Sequence, residues 1–152
     1  MHTHKHKVDL YPATGDSDEL CAADWNALCE DITEIGTVVY IYDLVCYLPV
    51  VPDVSDVVAR WAIARNVAFP AGMTGSRASA GVAATAQTIY TVKKNGSAVA
   101  TITWAISGTT GTYAAALAWS VVPGDVVTIE APASPDATLA QVSITMIGIR
   151  TP

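Results

Sequence analysis

The chain's three histidines, His2, His4 and His6, all lie within its first seven residues. Their alternation places them on one face of an extended segment. Two such layers about a threefold axis would offer six imidazoles, an octahedral cage for a transition metal. A solvated or partner-bound terminus explains the same residues more simply, so no metal and no other cofactor is expected. The position of the histidines also excludes a nucleophile–His–carboxylate triad within residues 57–152 of one chain. Gly72-Met73-Thr74-Gly75-Ser76 is glycine-rich but lacks the lysine of a phosphate loop. The acids of residues 57–152 are Asp125, Glu130 and Asp136. Glycoside hydrolysis needs two carboxylates about 5–9.5 Å apart across a cleft. Asp125 follows Pro-Gly and Asp136 follows Pro, which are ordinary turn contexts. The expectation is therefore a protein that is not an enzyme.

The tryptophans are Trp25, Trp61, Trp104 and Trp119. Trp104 and Trp119 fall on neighbouring expected strands. Two readings stay open for them: a stacking platform for sugars, or contacts in the core or at a trimer interface. Cys21, Cys29 and Cys46 are odd in number and contain no Cys-x-x-Cys. Cys21 and Cys29 lie within one expected helix, about 12 Å apart at helical rise, too far to bridge. They read as small buried hydrophobes of a protein made in a reducing cytosol.

These residues need elements to position them. Residues 1–20 read as an extended, polar arm, with Pro12, Gly15 and the acidic run from Asp16 to Glu19. From Ala22 to Ile35 the pattern is helical. Trp25, Leu28, Cys29, Ile32 and Ile35 share one face of a short amphipathic helix. Asp24 suits its first turn and Gly36 its end. Residues 1–36 are thus an anchoring arm and helix, with Trp25, Leu28, Ile32 and Ile35 as the anchoring face. Residues 37–56 read as a connecting strand, Thr37–Leu48, and a bend at Pro49 and Pro52. Residues 57–152 read as an antiparallel β-sandwich. Alternation runs from Val57 to Phe69 as one strand, and residues 70–86 read as a long Gly/Ala/Ser/Thr loop. Asn95-Gly96 between two β-rich runs marks a hairpin turn. Gly111–Trp119, Val126–Ala131 and Thr138–Arg150 read as further strands, the last carrying Leu139, Val142, Ile144, Met146 and Ile149.

Composition narrows the function class. Hydrophobic residues make up 51% of the 152 positions and charged residues 14%, against roughly 25% charged in ordinary soluble domains. More surface than usual should be covered by other chains. Residues 1–56 hold two lysines against eleven acids, and residues 57–152 hold six basic against three acidic residues. Such opposite halves attract between subunits, or the acids solvate a helix and its flanks. No dense basic stripe is present, so nucleic acid is not an expected partner. The most apolar stretch, Ile35 to Val51, is broken by Gly36, Asp43 and Pro49, so no membrane insertion is expected. No apolar segment of a secretion signal follows Met1, and the mature product is expected to begin near there.

Short motifs follow one another as an ordered set: Arg65-Asn66-Val67-Ala68-Phe69-Pro70-Ala71-Gly72, Gly75-Ser76, Ala83-Ala84-Thr85-Ala86 and Val92-Lys93-Lys94-Asn95-Gly96. Gly124-Asp125, Ala131-Pro132, Asp136-Ala137-Thr138-Leu139-Ala140 and Gly148-Ile149-Arg150 complete it. The set resembles a β-domain of tailed-phage virion surface proteins. Ala22-Ala23-Asp24-Trp25-Asn26-Ala27-Leu28 is similar to segments near the start of phage fibre and appendage proteins, although Cys21 stands where many carry a capping Thr. The resemblance implies a jelly-roll-like sandwich that forms a homotrimer on a virion, assembled in the host cytoplasm. The same β-domain type occurs on fibres and on head-surface proteins; the brevity of the chain, without a fibre shaft, favours a capsid decoration (cement) or short head-fibre protein bound to the major capsid protein or another virion protein. The alternative that the resemblance leaves is a fibre-tip receptor-binding or carbohydrate-binding module that meets a host-surface glycan.

Overall fold

A computed structural model describes residues 40–151. The expected arm, the expected helix and its face of Trp25, Leu28, Ile32 and Ile35 lie outside the described residues, as do His2, His4, His6, Cys21 and Cys29. The described chain is mainly β. Its strands are β1 (Tyr40–Leu48), β2 (Val57–Ala62), β3 (Val67–Phe69), β4 (Arg77–Val82), β5 (Thr88–Lys94), β6 (Ser97–Trp104), β7 (Thr110–Ala114), β8 (Trp119–Val121), β9 (Val126–Glu130) and β10 (Ala140–Arg150). They form one ten-stranded sheet in the order β2-β9-β5-β6-β7-β4-β10-β3-β8, with β1 on the other edge of β10. Every pairing is antiparallel.

The sheet closes on one core. Val92, Ile102 and Ile129 come to it from β5, β6 and β9; Phe69, Leu44 and Ile144 come from β3, β1 and β10. The period-two patterns of β5, β6 and β10 direct these side chains inward. Each large aliphatic or aromatic group removed from water stabilises the fold by roughly 1.5–3 kcal/mol. Met146 and Leu139 join this core, whereas Ile149 faces outward. Gly148 takes the inward position beside it, because a Cβ there would collide with Val67 and Phe69.

Several expected boundaries need correction. The run from Val57 to Phe69 is two strands rather than one. A corner at residues 63–66 sends the chain from β2, beside β9, to β3, beside β10 and β8. The corner is fastened by Ile63 N–H to the Asp125 carbonyl and Gly124 N–H to the Ile63 carbonyl, each 2.9 Å. Gly111–Trp119 likewise divides into β7 and β8. Residues 70–86 are not a long loop. They hold a 3-10 turn at Ala71–Met73 and then β4, which pairs with both β10 and β7. Their small residues meet a packing demand: a Cβ on Gly111 would stand 2.8 Å from Ala78 and 2.9 Å from the Trp104 ring. Residues 37–56 are more than a connection, since β1 pairs with β10 along its whole length, Tyr40 with Arg150 through Leu48 with Val142.

The hairpin at Asn95-Gly96 is as the sequence predicts. β5 and β6 meet across a two-residue turn in which Asn95 has φ 48° and Gly96 has φ 84°. Both values lie in the left-handed region that this turn requires.

Candidate functional site

The two tryptophans proposed as a platform are not brought together. β6 and β8 are not neighbours in the sheet. Trp104 is fully buried and packs against Tyr90, ring centroids 5.0 Å apart. Trp119 is half-buried and stacks on Phe69 at 4.1 Å with an interplanar angle of 15°. Neither presents an open ring face beside the other, so a paired sugar-stacking surface does not form.

The three candidate carboxylates are each engaged by structural partners. Glu130 Oε2 accepts from Lys93 Nζ at 2.6 Å. Asp125 lies at a corner where two turns meet. Its Oδ1 accepts from the Asn95 side-chain amide at 2.7 Å and its Oδ2 from Val122 N–H at 2.9 Å, with Lys94 Nζ 3.2 Å away. Asn95 completes the joint by accepting from Val126 N–H and donating its own N–H to the Val126 carbonyl, each at 2.8 Å. The Val122 N–H, the Asn95 amide and Lys94 hold the Asp125 carboxyl below its ordinary range, against a smaller opposing effect of burial.

Asp136 is buried and joins two loops. Its Oδ2 accepts from Thr85 N–H, Thr85 Oγ1 and Ala86 N–H at 2.7–2.8 Å. Its Oδ1 accepts from Thr138 N–H at 2.9 Å and Leu139 N–H at 2.8 Å, with the Thr138 hydroxyl 2.7 Å away. Burial alone would raise this carboxyl. The hydrogen bonds from Thr138, Thr85 and Ala86 outweigh it and hold the group well below the usual carboxylate range. The motif segments around Lys93-Lys94-Asn95-Gly96, Gly124-Asp125 and Asp136-Ala137-Thr138-Leu139 thus supply the fastenings of the sheet's corners.

Among the described residues, the outer face of β1 is an apolar row without an internal partner. Leu44 and Leu48 point inward, while Ile41, Val45 and Tyr47 are 68%, 60% and 60% exposed. Register places Ile41 against Ile149 and Val45 against Thr145 of β10, and Ile149 is itself 45% exposed. Asp43 is the single charge in this row of β1. At its end the Arg150 guanidinium lies 5.6 Å from the centre of the Tyr40 ring, within cation–π range. Among the described residues β1 pairs only with β10, so its second edge is open. Open edge strands with apolar faces are surfaces on which chains pair or pack. The alternation Ile41-x-Asp43-x-Val45-x-Tyr47 was the available sequence signal for this face.

Cys46 is free and half-buried, and burial pushes its thiol up to about 11. A thiol held protonated in this way is a poor nucleophile at neutral pH. No helix among the described residues is long and apolar enough to cross a membrane. Compared with known protein families, curated protein sequences and solved structures, the chain has no match.

Proposed function

We propose that this chain is a non-enzymatic structural protein of a bacteriophage virion, a capsid decoration or short head-fibre protein. In this reading its sheet closes as a jelly-roll-like sandwich, and three copies associate through the outer face of β1 and β10. The observation that carries the reading is that face: an open edge strand with Ile41, Val45 and Tyr47 exposed beside Ile149. Charge supports a second copy as its occupant. Residues 40–151 carry six basic and six acidic residues. A net charge near zero favours association over mutual repulsion. The net charge of −6 therefore resides in residues 1–39, with two lysines against eight acids. The threefold count and the virion setting rest on the resemblance of the motif set.

Light scattering on the full chain tests the assembly. The expected mass is three times 15.9 kDa, and Val45→Asp should reduce it to that of one chain with an unchanged β-type circular dichroism spectrum. A wild-type chain that remains a monodisperse monomer at micromolar concentration overturns the assembly. Antibody labelling of particles in the electron microscope tests the setting, with label on the capsid exterior as the expected result. Residues 1–36 are the proposed anchor, through Trp25, Leu28, Ile32 and Ile35 against the major capsid protein or another virion protein. Deleting them should abolish decoration of particles; decoration at wild-type occupancy would remove the anchoring role.

A further inference from the structure

We propose that the cleft between the 3-10 turn and β7 binds an acidic saccharide, with the Arg77 guanidinium holding its carboxylate. The cleft has a volume of about 450 Å³, within the roughly 300–1,000 Å³ of small-ligand sites. Thr74, Gly75, Arg77, Thr110, Thr112 and Tyr113 line it, and no acidic residue does. Among the described residues Arg77 is its only cation. That side chain is exposed and donates one hydrogen bond, from Nη1 to the Ser76 carbonyl at 3.1 Å. Among the described residues no carboxylate comes within ion-pair distance of it, whereas Lys93 and Lys94 both have such partners. A guanidinium with most of its donors uncommitted is suited to a bidentate grip on an anion.

The remaining lining decides the class of ligand. Thr110 and Thr112 are exposed on β7, and Thr74 is exposed at the turn. The Thr110 and Thr112 hydroxyls both donate and accept, and that of Thr74, which donates to the Ala71 carbonyl at 3.4 Å, keeps its accepting lone pairs; together they match sugar hydroxyls. Nucleotide bases find no stacking surface here. The one aromatic, Tyr113, is half-buried with its hydroxyl between the carbonyls of Arg77 and Thr145 at 3.2 and 3.1 Å.

The walls are also held in advance. Gly72, Met73 and Gly75 have φ of 65°, 53° and 90°, an unusual density of left-handed backbone that includes a non-glycine residue. Met73 is buried to 1% exposure and locks the turn into the core. Gly72 N–H donates to the Ala115 carbonyl at 2.8 Å, and Ser76 Oγ accepts from Ile147 N–H at 3.0 Å. A strained loop fixed from beneath reduces the ordering cost of binding.

Titration of the full chain with tetragalacturonate, followed by isothermal calorimetry and amide NMR shifts, tests the site. Binding is expected, with shifts centred on residues 74–77 and 110–113. Arg77→Gln should weaken it at least about tenfold, and so should methyl esterification of the probe, which removes the charge and keeps the sugar. Thr112→Val, on the neighbouring strand, should weaken it by about threefold, the loss of one neutral hydrogen bond. Inorganic phosphate at equal concentration should leave the affinity unchanged. No binding at millimolar probe, equal affinity for the ester, an Arg77→Gln affinity within about twofold of wild type, or displacement by phosphate would each overturn the proposal. The site does not rest on the assembly reading. Val45→Asp should bind the probe as wild type does, so loss of trimers and loss of sugar binding are separable.

Discussion

Asp136 and Asp125 do the same work in two settings. Each is a carboxylate that ties together segments distant in sequence, Asp136 by accepting four main-chain N–H groups and Asp125 by accepting one together with the Asn95 side-chain amide. Asp136 does so from a buried side chain, with Leu139 buried and Thr138 half-buried beside it and Thr85 and Ala86 at the surface. Asp125 does so at a wetter corner, with help from Asn95 and Lys94. A hydrogen-bonded group weighs on stability through what its removal leaves unsatisfied. The two corners should therefore differ far more in consequence than in appearance.

Asp136→Ala gives the largest expected effect. It leaves four main-chain N–H groups, those of Thr85, Ala86, Thr138 and Leu139, without their acceptor, which should cost about 3–5 kcal/mol. Chemical denaturation measures it, and a loss under about 1 kcal/mol would mean that water replaces the carboxylate at no great cost. The same corner should govern acid stability. The folded Asp136 carboxyl lies below its ordinary value of 3.8. A depressed carboxylate contributes stability that is fully present above the unfolded value and is lost as pH falls through the folded one. The melting temperature should thus begin to drop as pH passes below the ordinary carboxylate range, and Asp136→Asn should flatten that drop. An equally steep acid limb in Asp136→Asn would assign acid sensitivity elsewhere.

The corners also differ in how far the sequence discloses them. The Asn95-Gly96 turn is legible because its chemistry is local: two adjacent residues that tolerate positive φ, between two alternating runs. The contacts of Asp136 join it to Thr85 and Ala86 about fifty positions away, so Pro135-Asp136 reads as nothing more than a turn. The corner at residues 63–66 is hidden for another reason. Ile63, Val67 and Phe69 keep the inward phase across it, so periodicity carries straight through a change of neighbours. β4 is hidden because its small residues answer to Trp104 and Gly111 across the fold rather than to flexibility. Ile41, Asp43, Val45 and Tyr47 alternate along β1, but only the pairing with β10 shows which side of the strand remains uncovered. The Arg77 cleft depends on β4 lying beside β7, a pairing that nothing local in either segment specifies.

The smaller effects belong to the exposed corner and sharpen the contrast. Gly96 has φ 84°, and a Cβ built on it meets no atom within 4 Å. Space therefore plays no part, and any penalty for a side chain there is purely conformational. Gly96→Val should cost on the order of 1–3 kcal/mol, because a β-branched residue resists the left-handed region. Gly96→Asn should cost under about 1 kcal/mol, since asparagine enters that region with local hydrogen bonding. Thermal melts of the two variants decide the matter. A wide gap between them attributes the turn's demand to φ, whereas equal losses would show that the side chain itself disturbs the joint between Asn95 and Asp125. If Gly96→Val leaves the melt unchanged, the turn relaxes to another type without cost, and the exposed corner contributes nothing to the register of β5 and β6.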